Sequence, residues 1–305
     1  MTIPFPKVLR IEPASKCNFG CVHCPTGTIE MARGVMSLKL FEKIIFEIKK
    51  NVEYIKVIVL YHGGEPFLNK NFFHMLKEIK KINKNIFVKT VSNGSVLTEK
   101  TIKQIVESEL DLIEFSLDGQ SARDSEKIRK KSKSEVIIKN IKELLNQKKN
   151  LSKETPKVNI CSTQFFENKS LVKDNILPET ANWILDNFKN EQVGFKNFFA
   201  MQWPSMTNQI SNFDKVKVEN AKDKDNCNHI EETLTIRSDG AVVPCCYDLT
   251  TELKMGNVMN ESLQEIWDNS AYHNLRETIS SKKYISICKN CNVVRPPIYL
   301  VPKPD

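Results

Sequence analysis

Three cysteines lie close together near the start of this 305-residue chain, at Cys17, Cys21 and Cys24. They follow a short apolar run at residues 8–11. Thiolates are the ligands of iron–sulfur clusters, and a cubane cluster has four irons to bind. Three thiolates leave one iron open, and an open metal position can bind a substrate or a cofactor, as in catalytic zinc sites. The spacing therefore predicts a [4Fe-4S] cluster with one open iron.

Two other uses of these thiols stay open. A structural zinc site usually takes a second pair of ligands, which Cys288 and Cys291 could supply. A disulfide needs an oxidising compartment. Residues 1–7 lack the apolar segment of a secretory signal peptide. We therefore expect a cytoplasmic protein whose nine cysteines are reduced and in part bind metal.

The composition argues against two classes of partner. The net charge is +8 at pH 7, but the lysines are distributed along the chain and do not form the clustered basic patch of a nucleic-acid-binding protein. The longest apolar runs, such as residues 57–60, are too short to span a bilayer. We therefore expect no nucleic-acid and no membrane partner. A chain of this length can form one barrel-sized domain and a small second domain.

Strands and helices are predicted to alternate along the first two thirds of the chain, which is typical of parallel βαβ units. Six strands are predicted, at residues 8–14, 54–61, 86–91, 112–117, 157–166 and 193–201. Helices are predicted between them, at residues 37–48, 71–82, 99–107, 135–147 and 178–188. Six units are fewer than the eight of a closed TIM barrel. The predicted fold class is therefore α/β, with a partial (β/α)6 TIM-like barrel.

In a parallel barrel, the loops at the C-terminal ends of the strands form the active site. Glycines and small polar residues lie at three of these ends: Gly63, Gly64, Glu65 and Pro66 after the second strand, Ser92 and Asn93 after the third, and Ser116 and Asp118 after the fourth. Two glycines permit a close approach of the backbone to a ligand. The same residue types also dominate ordinary turns, so that interpretation stays open.

The C-x3-C-x2-C spacing and the GGEP sequence at residues 63–66 resemble those of the radical S-adenosylmethionine (SAM) enzymes. The resemblance implies a SAM-binding [4Fe-4S] cluster on Cys17, Cys21 and Cys24, with SAM as a cofactor. It also implies residues that contact SAM: the GGEP backbone at its amino group, Arg129 at its carboxylate, His23 near its adenine, and Ser92, Asn93, Ser116 and Asp118 at its ribose and methionine parts. A guanidinium suits the bidentate binding of a carboxylate.

A second group of cysteines follows a polar segment at residues 206–226, which we interpret as a linker. Asp239 and Gly240 predict a hairpin turn, and a helix is predicted at residues 263–278. Four thiols of this region could form a closed site: Cys227, Cys245, Cys288 and Cys291. A zinc site with the same four ligands is the alternative.

The spacing of Cys227, Gly240 and Cys245 resembles the opening of the SPASM domain that follows many radical SAM barrels. Residues 292–305 contain no further cysteine, so the resemblance is to the shortened form, called twitch, with one auxiliary [4Fe-4S] cluster. The predicted organisation is a barrel at residues 1–205, a linker at 206–226 and a small cysteine-rich α+β auxiliary-cluster domain at 227–305.

Two cysteines remain. Cys161 lies in the fifth predicted strand, and we interpret it as a core residue. Cys246 follows a predicted ligand, and neighbours on a strand point to opposite faces. Three uses of Cys246 stay open: an alternative ligand, a small buried hydrophobic residue, or a thiol that donates hydrogen to a substrate radical.

The resemblance also implies a reaction class. Such enzymes cleave SAM reductively to methionine and a 5′-deoxyadenosyl radical, which abstracts hydrogen from an unactivated C–H bond. An auxiliary cluster can then accept an electron, giving oxidation, or a thiol can quench the radical, giving epimerisation. From the similarity to aminoglycoside-pathway dehydrogenases and epimerases, we expect a small polyol, sugar or aminocyclitol as substrate. A flavodoxin- or ferredoxin-type protein is the expected electron donor.

Two alternative functions stay open. A peptide maturase would form thioether or carbon–carbon links in a precursor peptide, but such enzymes usually carry an N-terminal peptide-recognition domain and more cysteines. A non-catalytic iron–sulfur electron carrier is the other. An open three-cysteine site and a GGEP turn would have no use in a carrier.

We predict that the anaerobically reconstituted protein holds two [4Fe-4S] clusters, about eight irons per chain by that stoichiometry. Replacing Cys17, Cys21 and Cys24 together with Ala should leave about half of the iron. The same variant should not cleave SAM, because the open iron is lost. Metal analysis and chromatography of the SAM products measure both effects. Zinc in place of the second half of the iron would contradict the auxiliary cluster.

Overall fold

The computed structural model describes residues 4–174, 178–206 and 212–303. The strands in these residues are, in chain order, β1 (Val8–Ile11), β2 (Gly20–Cys21), β3 (Val57–Val59), β4 (Phe87–Ser92), β5 (Leu112–Ser116), β6 (Arg129–Lys130), β7 (Lys157–Gln164), β8 (Gly194–Phe199), β9 (Phe213–Lys217), β10 (Thr233–Ile236), β11 (Ala241–Val243), β12 (Gly256–Asn257) and β13 (Ile298–Pro302). The α-helices are α1 (Pro25–Thr28), α2 (Leu38–Lys50), α3 (Phe72–Ile82), α4 (Glu99–Glu107), α5 (Ala122–Ile128), α6 (Ser134–Asn150), α7 (Asn182–Phe188), α8 (Asn228–Glu232), α9 (Leu263–Trp267) and α10 (Ser270–Ser280). Short 3₁₀ helices lie at Pro66–Leu68, Lys169–Asp174 and Ser286–Asn290. None of the helices in this part of the chain is long and apolar enough to cross a membrane.

Six parallel strands form the central sheet, in the order β1-β3-β4-β5-β7-β8. This order follows the chain, and helices lie in the connections between successive strands, as in βαβ units. β1 ends at Ile11, before the predicted end at residue 14, because Pro13 has no N–H to donate to the sheet. The predicted partial (β/α)6 barrel is confirmed.

The helices cover the outer face of the sheet with apolar side chains. α2 begins after Ser37, whose hydroxyl accepts a hydrogen bond from the N–H of Leu40 at 3.2 Å. Leu40, Phe41, Ile44 and Ile48 recur at helical spacing and are all buried. Each such side chain contributes about 2 kcal/mol on burial. The apolar face therefore holds the helix on the sheet and leaves the inner face of the sheet for a site.

The cysteine-rich region adds three strands to the first edge of this sheet. β10 pairs with β1 in parallel, and β11 and β12 continue the sheet antiparallel. The predicted hairpin turn joins β10 to β11. Gly240 has a φ of +86° there, and the Asp239 carboxylate accepts a hydrogen bond from the N–H of Ala241 at 3.0 Å. The sheet thus runs through both predicted domains, and the boundary at residues 206–226 stays a prediction.

Two stretches after residue 205 also differ from the predicted elements. The segment predicted as a linker contains β9, which pairs antiparallel with β13, and residues 207–211 lie outside the described residues. The helix predicted at 263–278 is divided into α9 and α10. The side chain of Asn269 accepts a hydrogen bond from the N–H of Tyr272 at 3.0 Å and so caps the second helix. The apolar periodicity of the sequence continues past Asn269, so the periodicity alone did not predict that the helix is divided there.

Candidate active site

The first three cysteines lie on the loop that follows β1. In this loop β2 pairs antiparallel with β6, which brings Cys21 opposite Arg129. Cys17, Cys21 and Cys24 line one cavity of about 440 Å³. Residues at the ends of β4 and β5 line the same cavity. It therefore lies at the C-terminal ends of the strands, where parallel barrels have their active sites.

Hydrogen-bond donors point at the sulfurs of this loop. The N–H of Phe19 lies 3.5 Å and the Asn93 amide nitrogen 3.9 Å from Cys17 Sγ, and Arg129 Nη1 lies 3.8 Å from Cys21 Sγ. Burial raises the pKa of the Cys21 thiol to about 12, and the Arg129 charge opposes that rise. Donors and a positive charge favour the thiolate that a cluster needs. The residues present therefore fit an iron–sulfur cluster.

The GGEP turn packs on the backbone of the cysteine loop. The N–H of Gly63 donates to Glu12 Oε1 at 2.9 Å. A Cβ on Gly64 would overlap the carbonyl oxygens of Ala14 and Lys16. The sequence predicted these glycines for the approach of a ligand, and both line the cavity, so that interpretation stays a prediction. Gly64 has a second reason to be glycine. Glycine is required here because two backbone segments meet.

Glu65 ties this turn to the end of β4. Its carboxylate accepts hydrogen bonds from the Ser92 hydroxyl at 2.9 Å and from the N–H of Asn93 at 2.8 Å. Burial raises the pKa of Glu65 to about 7, although these hydrogen bonds act in the opposite direction. Three residues predicted to contact SAM are therefore joined to one another.

Asp118 holds Arg129 in place. Its Oδ2 lies 2.7 Å from Arg129 Nε and 3.8 Å from His23 Nε2, and its Oδ1 accepts a hydrogen bond from the N–H of Thr163 at 2.7 Å. Burial alone would lower the pKa of Arg129, but Asp118 raises it above its usual value, so the guanidinium stays charged. Burial lowers the pKa of His23 to about 4, so its ring is neutral at pH 7.

Most residues predicted to contact SAM lie at the cavity. Those that line it are His23, Gly63, Gly64, Glu65, Ser92, Asn93, Ser116 and Arg129. Two do not: Pro66 is buried at the start of a 3₁₀ turn, and Asp118 lies fully buried behind Arg129. The prediction that Asp118 faces SAM came from its position at a strand end, which does not reveal the direction of the side chain.

A buried carboxylate that the sequence patterns did not reveal joins the two halves of the site. Glu12 Oε1 lies 3.3 Å from His62 Nδ1, and its Oε2 accepts a hydrogen bond from the N–H of Ser238 at 3.0 Å. Arg237 Nε lies 3.7 Å from the same oxygen. Burial would raise the pKa of Glu12, but His62, Arg237 and the Ser238 N–H together lower it to about 2. An acidic residue directly after an apolar strand was the available signal.

Charged side chains also line the cavity deeper in the barrel. Lys89 Nζ lies 2.9 Å from Glu114 Oε2, and Lys196 Nζ donates to Glu114 Oε1. Cys161 lies in register with Ser116 and Lys196 and lines the cavity, so its prediction as a core residue is wrong. Parallel strands are usually apolar throughout. Three of these strands each contain a lysine or a glutamate at a position that lines the cavity, and these charged residues were a signal in the sequence for a site inside the barrel.

The second group of cysteines surrounds a smaller pocket. Its lining includes four buried thiols, Cys227, Cys245, Cys288 and Cys291. Backbone N–H groups reach these sulfurs: those of Ile230 at Cys227, Tyr247 at Cys245, and Val293 at Cys291. Such donors stabilise cluster thiolates, so this donor set also fits an iron–sulfur cluster. Each thiolate of a cubane binds its own iron, so the ligands need not meet at one point. Among the described residues, no three His, Cys, Asp or Glu side chains are close enough together to hold a single metal ion.

Cys246 lines neither pocket, but its sulfur lies 3.9 Å from Nδ1 of His229, which lines the second one. Its prediction as a strand neighbour of Cys245 is wrong, because β11 ends at Val243 and Pro244 cannot donate to the sheet. The rings of Trp203, which lines the first cavity, and Tyr247, which lines the second pocket, are 5.2 Å apart.

Comparison with known proteins identifies the class of this chain. The Radical SAM superfamily matches residues 11–154, and the iron–sulfur cluster-binding SPASM domain matches residues 227–292. Together the two matches cover about two thirds of the chain. The chain therefore contains a radical SAM domain followed by a C-terminal SPASM domain. These two domains imply three cofactors, as predicted: SAM, a SAM-binding [4Fe-4S] cluster and an auxiliary iron–sulfur cluster. The assignment of individual thiols stays a prediction.

Three similar proteins differ in what they act on. A tungsten-containing aldehyde ferredoxin oxidoreductase cofactor-modifying protein of Pyrococcus furiosus is 27% identical over 317 residues, covering 94% of this chain and 87% of the relative. A cysteine-type anaerobic sulfatase-maturating enzyme of Clostridium novyi is 26% identical over 324 residues, covering 93% and 84%. The crystal structure of BtrN in complex with AdoMet and 2-DOIA has a TM-score of 0.61 at 16% identity, covering 95% of this chain and 94% of that one. At 16% identity, the similarity to BtrN is evidence that the two chains share a fold.

Gly64→Ala should destabilise the protein and impair cluster assembly. The new Cβ would overlap the backbone of the cysteine loop, and overpacking of this kind costs about 1–3 kcal/mol or more. Gly34→Ala is the matched control, because a Cβ there has nothing within 4 Å. Thermal melting and iron content measure the effect. Equal stability of the two variants would contradict the close approach.

Glu12→Gln should lower the free energy of unfolding by about 3 kcal/mol at pH 7, because the charged form is what the folded site stabilises. A carboxyl pKa lowered from 4.5 to about 2 stabilises the fold fully above pH 4.5, and the effect is lost as the pH falls through about 2. The difference from wild type should therefore be smaller at pH 4 than at pH 7 in urea unfolding. Glu42→Gln, on the exposed face of α2, is the control. A difference that does not change with pH would exclude the charge as the cause.

Proposed function

We propose that this chain is a radical SAM oxidoreductase that oxidises a small hydroxyl-bearing molecule, a polyol, sugar or aminocyclitol, inside the barrel. One observation carries the proposal. The cavity extends from the three thiols into the barrel interior, where Lys89, Glu114 and Lys196 line it. Its volume of about 440 Å³ is at the lower end for small-molecule sites. Because SAM shares this volume, the remaining room suits a small substrate.

In this proposal the residues around the cavity bind and orient SAM. The backbone of residues 63–65 receives its amino group, and Arg129, held by Asp118, pairs with its carboxylate. The neutral ring of His23 lies near the adenine. When bound, SAM and the cluster on Cys17, Cys21 and Cys24 supply a carbon radical that can remove a hydrogen atom from an unactivated C–H bond. The barrel walls exclude water from that radical.

The positions of the other thiols support oxidation over epimerisation. Cys246 does not line the cavity, so it is not positioned to donate hydrogen to a substrate there. The auxiliary thiols lie beyond the contact between Trp203 and Tyr247, next to the cavity wall. Cys227, Cys245, Cys288 and Cys291 would hold a cluster that can accept the second electron of an oxidation.

A peptide maturase is the second candidate, and the relatives favour it. The Clostridium novyi relative is named for the maturation of a sulfatase, and its match extends over 93% of this chain. A peptide would place a single side chain in the same cavity. The residues that bind SAM would have the same roles in both candidates. In either case we propose a cytoplasmic enzyme with a flavodoxin- or ferredoxin-type electron donor.

Perdeuterated substrates distinguish the candidates. Reconstituted protein is incubated with SAM, dithionite and perdeuterated glycerol, inositol or glucose, and mass spectrometry follows 5′-deoxyadenosine. We expect deuterium from a polyol to appear in 5′-deoxyadenosine, and the recovered polyol to be oxidised by two electrons. The variant that lacks Cys17, Cys21 and Cys24 is the control and should release none.

Three other results would each contradict oxidation of a small molecule. Deuterium transfer from cysteine- or serine-containing peptides but from no polyol would identify a maturase. Release of no 5′-deoxyadenosine under any condition would identify an electron carrier. Solvent deuterium at an inverted carbon, in a reaction run in heavy water, would identify an epimerase. Cys246→Ala and Cys161→Ala would then show which thiol donates.

A further inference from the structure

We propose that Lys89 and Lys196, held by Glu114, form a subsite for an anionic group of the substrate, a carboxylate or a phosphate. The proposal rests on the proposed function, since it names the substrate of the same cavity. Among the hydroxyl-bearing molecules considered above, it favours sugars and polyols that carry a carboxylate or a phosphate, and it disfavours aminocyclitols, whose amino group is cationic.

Three strands of the central sheet place these side chains on the inner face of the barrel, β4 next to β5, and β8 separated from β5 by β7. Lys89 lies on β4, Glu114 on β5 and Lys196 on β8, and all three line the cavity. Glu114 is almost fully buried, with 6% of its side chain exposed, whereas the exposed fractions are 28% for Lys89 and 43% for Lys196. The carboxylate therefore lies in the wall, and the two ammonium groups are open to the cavity.

The subsite has hydrogen-bond donors to spare. An ammonium group has three N–H donors. In the described part of the chain, Lys89 and Lys196 each donate only to Glu114, one to each oxygen. Asn159 Nδ2 lies 3.5 Å from the same carboxylate, which leaves its oxygens little capacity for a ligand. Two donors on each lysine remain for an acceptor in the cavity.

The charge of the subsite is positive. Burial would raise the pKa of Glu114, but the two lysines lower it, and the hydrogen bond from Lys196 to Glu114 raises the pKa of Lys196. Glu114 is therefore ionised and Lys196 protonated at pH 7, and with Lys89 the subsite has two formal positive charges against one negative. Two other titratable side chains that line the cavity already have partners: Arg129 is paired with Asp118, and the Glu65 carboxylate accepts hydrogen bonds from Ser92 and Asn93. An anion in the cavity would balance the remaining charge.

A purely structural role explains this cluster poorly. Barrel interiors are normally filled by branched apolar side chains. Partly buried ion pairs contribute little net stability, because desolvation offsets the attraction. A carboxylate held by two ammonium groups is also a weak base, so a role for Glu114 as proton acceptor does not fit. Glu114 is a positioning residue that holds two lysines at the cavity wall.

Binding of matched probes tests the subsite without turnover. The probes are glucose, glucuronate and glucose 6-phosphate, titrated into the reconstituted protein with SAM present and no reductant. We expect at least one anionic probe to bind about tenfold more tightly than glucose, since a hydrogen bond to a charged group is worth about 1.5–3 kcal/mol. Preference for glucuronate or for glucose 6-phosphate identifies the anionic group.

Variants assign the preference to these residues. Lys196→Met and Lys89→Met should each remove most of the preference, and Lys196→Arg should keep it. Lys142→Met, on the exposed surface of α6, should bind as wild type. Thermal melting of each variant separates loss of binding from loss of folding. Equal binding of charged and neutral probes by the wild type, or an unchanged preference in folded Lys196→Met, would overturn the subsite.

SAM cleavage by the same proteins separates this inference from the proposed function. The wild-type protein and the control variant Lys142→Met, whose substitution lies on the exposed surface of α6, should both release 5′-deoxyadenosine with dithionite when no substrate is added. If wild-type protein releases none, the proposed function fails, while anion binding is still decided by the titrations. If cleavage occurs without any anion preference, the subsite alone is wrong.

Discussion

The buried carboxylate of Glu12 is the constraint on which the site depends. It follows β1 directly and accepts hydrogen bonds from two backbone N–H groups, one in the GGEP turn and one in the hairpin after β10. Neither N–H has another described partner, so a site without this carboxylate would leave two buried donors unpaired, which is costly. One side chain thereby sets the distance between the cysteine loop, the GGEP turn and the auxiliary region.

Ion pairing is used in the same way elsewhere in the cavity. Asp118 is buried behind the cavity wall, and Glu114 lies within it. Each carboxylate holds cations towards the interior: Arg129 in one case, Lys89 and Lys196 in the other. A lysine or arginine side chain that is free in solution loses much conformational entropy when it binds a ligand. Here the buried carboxylates already order these side chains before a ligand binds. The cavity therefore presents positive groups that are already oriented.

The sequence predicted the local features well because they depend on neighbouring residues. The helix at Glu99–Glu107 has the predicted ends, and both cysteine groups line pockets. Features that depend on register were not predictable. The inward direction of Cys161 follows from its pairing with strands on both sides, and the burial of Asp118 follows from packing against Thr163 and Arg129. Proline ended β1 and β11 earlier than apolar pattern alone indicates.

The pairing of β1 with β10 also bears on how the chain is assembled. Arg10 and Thr235, which face each other across this pair, are 225 positions apart in sequence. During synthesis the edge of β1 has no partner until most of the polypeptide has been made, and pairings of such long range form slowly. An unpaired edge strand invites association with other chains. A ligand that occupies the cysteine loop early would hold β1 in place during this interval, so cofactor supply would influence the yield of folded protein as well as its activity.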